Sequence, residues 1–136
     1  MPMRSEKDVE AYLGRLGRRF DTVDVQGAGT STTFVLRSDK TQAAVAVRVD
    51  APLVVARVDI GEAKSNEPLK LFRLLLEANA GSLIHTSFGL EGDHIVLSAA
   101  LELENLDFNE FEAVLDEIDL TLAREVPKLR ELTQPS

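Results

Sequence analysis

Apolar residues recur with two different periods along the 136-residue chain. Residues 5–19 have helical spacing, and Ser5 followed by Asp8 predicts a capping box at the start of this helix. Downstream, three segments alternate between apolar and polar positions, which predicts an antiparallel meander. These segments are residues 32–38, 42–49 and 53–60.

A second helix, a hairpin and a third helix are predicted in the second half of the chain. The second helix begins near residues 66–67, because Pro68 is tolerated in a first turn, and ends at Gly81. The hairpin turns at Gly92-Asp93 between two alternating strands. Residues 108–129 then have apolar side chains at every third or fourth position, which predicts an amphipathic helix that bends around 123–125 because Pro127 lacks an amide hydrogen.

The resulting order, α-β-β-β-α-β-β-α, predicts an α+β fold. In this fold, a twisted antiparallel sheet is covered by the N-terminal and C-terminal helices, with Phe111, Leu115 and Ile118 in the core. With 44% hydrophobic residues, residues 1–136 are predicted to form one domain that needs no metal or disulfide to fold.

The second helix has more apolar surface than one packing partner needs. Its polar residues form one narrow stripe, and apolar side chains cover about 220° of the remaining circumference. A helix that lies on one face of a sheet buries much less than this, so the surplus favours a homodimer contact over full internal burial. The predicted dimer-interface residues are Leu69, Phe72 and Leu76.

Charge and composition narrow the classes of partner. The chain has 15 lysine and arginine residues against 23 aspartate and glutamate residues, a formal net charge of −8, which disfavours nucleic acid and membrane surfaces as partners. The absence of cysteine excludes thiol chemistry and thiolate metal sites. There is no signal-peptide pattern and no apolar run of about 18 residues, so a cytoplasmic location is expected.

No group of residues predicts an active site, a metal site or a cofactor site. His85 is expected in the first hairpin strand, several ladder steps from His94, so the two histidines should not share a ligand. Three acidic residues of the last helix are expected on its solvated face, away from the apolar stripe. They are Asp116, Glu117 and Asp119. The chain is therefore predicted not to be an enzyme.

A small-molecule sensor is the alternative function. The loop at residues 27–33 resembles a phosphate-binding loop in composition only, because it lacks the lysine and the strand-to-helix context of such loops. A nucleotide-like anion would need basic residues nearby, and three arginines of the meander could supply them if they converge on one face. They are Arg37, Arg48 and Arg57.

The element order, the size and the acidity resemble those of the type III secretion chaperone-like superfamily, which includes the class I secretion chaperones and the YbjN-like proteins. The local resemblance is strongest in residues 74–79, 88–97 and 103–107, which look like the family's helix, hairpin and strand-to-helix junction. The resemblance implies a cytoplasmic homodimer that holds a partner polypeptide in extended form or acts as an accessory regulator, without catalysis or cofactor.

The meander is the predicted partner-binding surface. A chaperone of this kind would hold its client by strand addition and by pockets for apolar side chains, and Phe34, Val45 and Val55 are the residues predicted to contact it. The sequence thus predicts a small acidic dimeric chaperone, or an adaptor or regulator of a partner polypeptide.

Overall fold

The computed structural model describes residues 4–24, 31–37 and 43–133. Within these ranges the protein has three helices and six strands, and the predicted α+β fold is confirmed. The elements in chain order are α1 (Glu6–Arg15), β1 (Phe20–Asp24), β2 (Thr32–Arg37), β3 (Ala44–Asp50), β4 (Leu53–Glu62), α2 (Pro68–Gly81), β5 (Ser87–Glu91), β6 (His94–Glu102) and α3 (Phe108–Thr133).

Strand β1 is absent from the elements predicted from the sequence, in which the first helix extends to residue 19 and no strand precedes residue 32. Helix α1 begins as predicted, with the Asp8 carboxylate accepting a hydrogen bond from the Ser5 N–H at 2.7 Å. It ends early because Gly17 has a φ of 72° and forms a Schellman motif, in which the Arg18 N–H donates to the Leu13 carbonyl at 3.2 Å. The chain can therefore turn directly into β1.

All strands pair antiparallel, in the order β1-β2-β3-β4-β6-β5, so β1 and β5 are the two edge strands. One face of the sheet is apolar across its width and belongs to the same core as the buried residues of the helices. This covered face includes the buried side chains of Leu36, Val45, Val58, Leu97 and Phe88.

Helices α1 and α3 pack together through an aromatic cluster. The Tyr12 ring lies 5.7 Å from the Phe108 ring and 6.0 Å from the Phe111 ring, measured between centroids. The Tyr12 hydroxyl donates to the Leu106 carbonyl at 2.9 Å, which fixes the loop before α3. These contacts hold α1 against the first turn of α3.

Helix α3 begins at its predicted cap, since the Asp107 carboxylate accepts a hydrogen bond from the Glu110 N–H at 2.8 Å. The predicted core residues Phe111, Leu115 and Ile118 are buried. The helix continues through Pro127 to Thr133 as a single 26-residue element. One missing amide does not end it, because buried apolar residues on both sides of the proline hold it against the core.

The hairpin turn is confirmed, because Glu91 pairs with His94 and Gly92 has a φ of 59°. Its first strand is shorter than predicted. Strand β5 begins at Ser87, so the expectation that His85 lies in a strand is wrong. The backbone before Ser87 is instead bound by a side chain of α3, as described below.

Candidate binding surfaces

The face of the sheet opposite the core contains a shallow groove. The groove has a volume of about 390 Å³ and is built mainly from β3 and β4, whose alternation directs every second side chain away from the core. Its apolar floor includes Ala46 and Val55, which are half-buried, and the exposed Leu53. We call this surface, lined by Ala46, Arg48, Leu53, Val55 and Arg57, the open-face groove.

The three predicted partner-contact residues do not share a surface. Phe34 and Val45 are each 1% exposed and belong to the core, so they cannot contact a partner while the fold is intact. Val55 lies on the opposite face, in the open-face groove. For Val55 the sequence could not resolve this difference, because β4 has apolar residues on both faces and its alternation alone does not show which face is covered.

The three arginines of the alternative function lie on the open face, as the strand register shows. Arg48 lies 3.4 Å from the Asp50 carboxylate, and Arg57 lies 2.8 Å from the Glu91 carboxylate. The four groups bring two positive and two negative charges to the groove, so it has no net cationic character that would favour an anion. Residues 27–30 of the predicted anion-binding loop lie outside the described residues.

Helix α2 exposes the apolar surplus that the sequence predicted. Leu71, Leu75 and Ala78 face the core, whereas Leu69, Phe72 and Leu76 are 82%, 37% and 66% exposed. Leu90 of β5 is 54% exposed and adjoins Phe72 and Leu76 across a mainly apolar groove of about 320 Å³. We call Leu69, Phe72 and Leu76 the α2 surface. That it is a dimer interface stays a prediction.

The Asn79 side-chain amide joins α2 to the edge strand. It accepts a hydrogen bond from the Phe88 N–H at 2.7 Å and donates one to the Phe88 carbonyl at 3.0 Å. Both backbone groups of one strand residue are therefore bound by a single side chain, which fixes the distance between α2 and β5.

Glu117 of α3 binds the segment before β5. Its carboxylate accepts hydrogen bonds from the backbone N–H groups of Ile84, His85 and Thr86 at 3.0, 2.9 and 2.7 Å, and from the Thr86 hydroxyl at 2.6 Å. Burial raises the pKa of Glu117, but the hydrogen bonds from Thr86, Ile84 and His85 outweigh that effect, so the net shift of this pKa is downward.

Two of the three acids expected on a solvated face have specific partners instead. Besides Glu117, Asp119 forms an ion pair with Arg18, whose side chain is 9% exposed against 13% for Asp119. Asp116 is exposed, as predicted. The helical wheel separated these acids correctly from the apolar stripe, but it could not show that other segments cover their side of the helix.

The two histidines have different partners: the His85 backbone N–H binds Glu117, and the His94 ring binds Asp59. The His94 Nδ1 atom lies 2.9 Å from an Asp59 carboxylate oxygen, and this hydrogen bond together with the charges of Asp59, Glu62 and Asp93 raises the pKa of His94.

Within the described ranges, no three histidine, aspartate or glutamate side chains are grouped so that they could hold a metal ion. Nor does any helix in those ranges have the length and apolar character needed to cross a membrane.

The antiparallel sheet with helices before, within and after it agrees with the type III secretion chaperone-like fold that the sequence resemblance implies. The CesT_Tir_1 family model matches residues 3–135, and the chain belongs to this family. Among curated proteins, no relative matches the sequence.

Two solved structures share the fold. One is a chain of the heterodimeric ExoU–SpcU complex from the type III secretion system of Pseudomonas aeruginosa, with a TM-score of 0.64, 18% identity, and coverage of 88% of this chain and 95% of that chain. The other is YbjN from E. coli, with a TM-score of 0.64, 14% identity, and coverage of 96% and 95%. At these identities the likeness shows the fold.

Proposed function

We propose that this protein is a non-catalytic binding module, which acts as a dimeric chaperone or adaptor for a partner polypeptide. The main support is the open-face groove, whose apolar floor and paired charges suit a polypeptide segment with apolar side chains better than a small anion. Family membership and the fold shared with a chain of the ExoU–SpcU heterodimer agree with this function.

A substitution that introduces a charged side chain into the open-face groove tests whether the groove binds the partner polypeptide. Val55→Asp places a carboxylate on the apolar floor without entering the core, because Val55 is only half-buried. We expect tagged wild-type protein to retain co-purifying polypeptides that the variant loses, as shown by mass spectrometry. Leu120→Asp is the matched control, since Leu120 is an exposed leucine of α3 outside the groove. A folded Val55→Asp variant that retains the same polypeptides would exclude the groove as the partner surface.

The homodimer is proposed to form through the α2 surface. A two-fold contact places the same residues of both copies together, so one substitution changes the interface twice. Leu76→Asp would then bring two unpaired carboxylates into an apolar contact, at a cost of several kcal/mol from lost hydration. Leu69→Asp should act in the same way.

Sedimentation velocity at micromolar to millimolar concentration measures this association. We expect the wild type to sediment as a dimer of the 14.9 kDa chain, and Leu76→Asp to sediment as a monomer. Leu120→Asp should remain dimeric, because it adds the same charge at an exposed position outside the α2 surface. A wild-type protein that stays monomeric across this range would contradict the dimer proposal.

A further inference from the structure

Strand β5 is an edge of the sheet, and its free side would be a template for the addition of another strand. The hairpin register shows which groups face that side. In a two-residue hairpin, the residues that flank the turn exchange both backbone hydrogen bonds, and such bonded pairs alternate along the ladder. Glu91 pairs with His94, so Glu91, Gly89 and Ser87 bond to β6, while Phe88 and Leu90 direct their N–H and carbonyl groups outward.

Asn79 occupies the outward position at Phe88. Its amide accepts from the Phe88 N–H at 2.7 Å and donates to the Phe88 carbonyl at 3.0 Å, which are the two bonds that a residue of an added strand would make. The side chain therefore takes the place of a neighbouring strand at this residue.

Glu117 blocks the position directly before the strand. The Thr86 N–H and hydroxyl both donate to its carboxylate, at 2.7 and 2.6 Å. Because Glu117 also binds the two preceding N–H groups, the backbone from Ile84 to Thr86 is held against α3. An incoming strand would have to displace this carboxylate to continue past Phe88.

Leu90 is the remaining outward position of β5. In the described part of the chain, no group bonds to its outward N–H and carbonyl. Its side chain adjoins the apolar groove beside Phe72 and Leu76. An unblocked edge beside an exposed apolar groove is the combination that promotes edge-to-edge association.

We propose that Asn79 and Glu117 close the free edge of β5 to strand addition everywhere except at Leu90, so that the β5 edges of two copies cannot pair. This inference does not depend on the identity of a partner polypeptide. It assigns a protective role to two polar side chains that contact no part of the open-face groove.

Amide hydrogen exchange followed by NMR tests the proposal in the wild-type protein. We expect the Phe88 amide to exchange at least about tenfold more slowly than the Leu90 amide, although both face the free edge. In Asn79→Ala the Phe88 amide should accelerate by about tenfold, while the Gly89 amide, which bonds to β6, should keep its rate. Equal rates at Phe88 and Leu90 in the wild type would overturn the proposal, whether or not the variant folds.

Self-association tests the protective role itself. We expect Asn79→Ala to form assemblies larger than those of the wild type, with an association constant raised by about tenfold in sedimentation velocity. The reason is that the Phe88 N–H and carbonyl become available to the edge strand of another copy. Asn109→Ala is the control, since it removes an exposed asparagine from the first turn of α3. Association unchanged in Asn79→Ala would show that Asn79 protects no edge.

Discussion

Glu117 joins α3 to the segment before β5, and its removal should destabilise the protein measurably. The carboxylate accepts three backbone N–H groups and one hydroxyl, all at 3.0 Å or less. Charge-assisted hydrogen bonds of this kind contribute about 1.5–3 kcal/mol each to stability when no water can replace the partner. The sum of four would overestimate the effect, because part of the site is accessible to water.

Burial decides how much of this stabilisation is lost. Ile84 and His85 are exposed, so water can hydrate their N–H groups after the carboxylate is removed. Thr86 is buried, so its N–H and hydroxyl would lose their partner without replacement. We therefore expect Glu117→Ala to lower the free energy of unfolding by about 2–3 kcal/mol, which lowers Tm by about 7–10 °C for a protein of this size.

Urea denaturation and thermal melting measure this loss. Asp116→Ala is the matched control, because Asp116 is exposed on the same helix, and its replacement should change the free energy of unfolding by less than about 0.5 kcal/mol. Glu117→Gln retains one acceptor oxygen and should cost about 1 kcal/mol. If Glu117→Ala matched the control, the hydrogen bonds of Glu117 would not stabilise the fold.

The pH dependence follows from the downward shift of the Glu117 pKa. A carboxylate whose pKa is lower in the folded state stabilises the protein above the pKa of the unfolded chain, and this stabilisation is lost as the pH falls through the folded-state pKa. The difference in unfolding free energy between wild type and Glu117→Gln should therefore be constant at neutral pH and should shrink below the ordinary pKa of 4.5. A difference that stays constant into strong acid would contradict this linkage.

Two further predictions concern α3. Ile118→Ala should lower the free energy of unfolding by about 2–5 kcal/mol in urea denaturation, because Ile118 is fully buried, and a loss below about 1 kcal/mol would exclude a tightly packed site. Arg18→Ala should cost about 3–5 kcal/mol because it leaves the Asp119 charge unpaired in a largely covered position. The double variant Arg18→Met with Asp119→Leu should be more stable than Arg18→Ala, because neither charge is left unpaired. In the double-mutant cycle formed with the single variants Arg18→Met and Asp119→Leu, strictly additive losses of unfolding free energy would show that the pair is not coupled.

The binding surfaces were predicted only in part. The exposed apolar side of α2 could be found from the sequence, because the helical period places each residue of a helix by its number alone. The open-face groove could not, because β4 alternates between two apolar faces and only the packing of the helices shows which one is free. Phe34 and Val45 were assigned to a binding surface because they are apolar residues of the meander, but their face of the sheet is the one that the core covers.

The sequence by itself determined the elements whose signals are local. The capping box at Ser5, the turn at Gly92 and the cap at Asp107 each involve residues at most a few positions apart. The tertiary structure decided the contacts between distant segments: Glu117 with Thr86, 31 positions away, and Asp119 with Arg18, 101 positions away. The helical period shows that Glu117 and Asp119 lie outside the apolar stripe of α3. Their hydrogen-bond and ion-pair partners depend on which distant segments the folded core brings beside the helix.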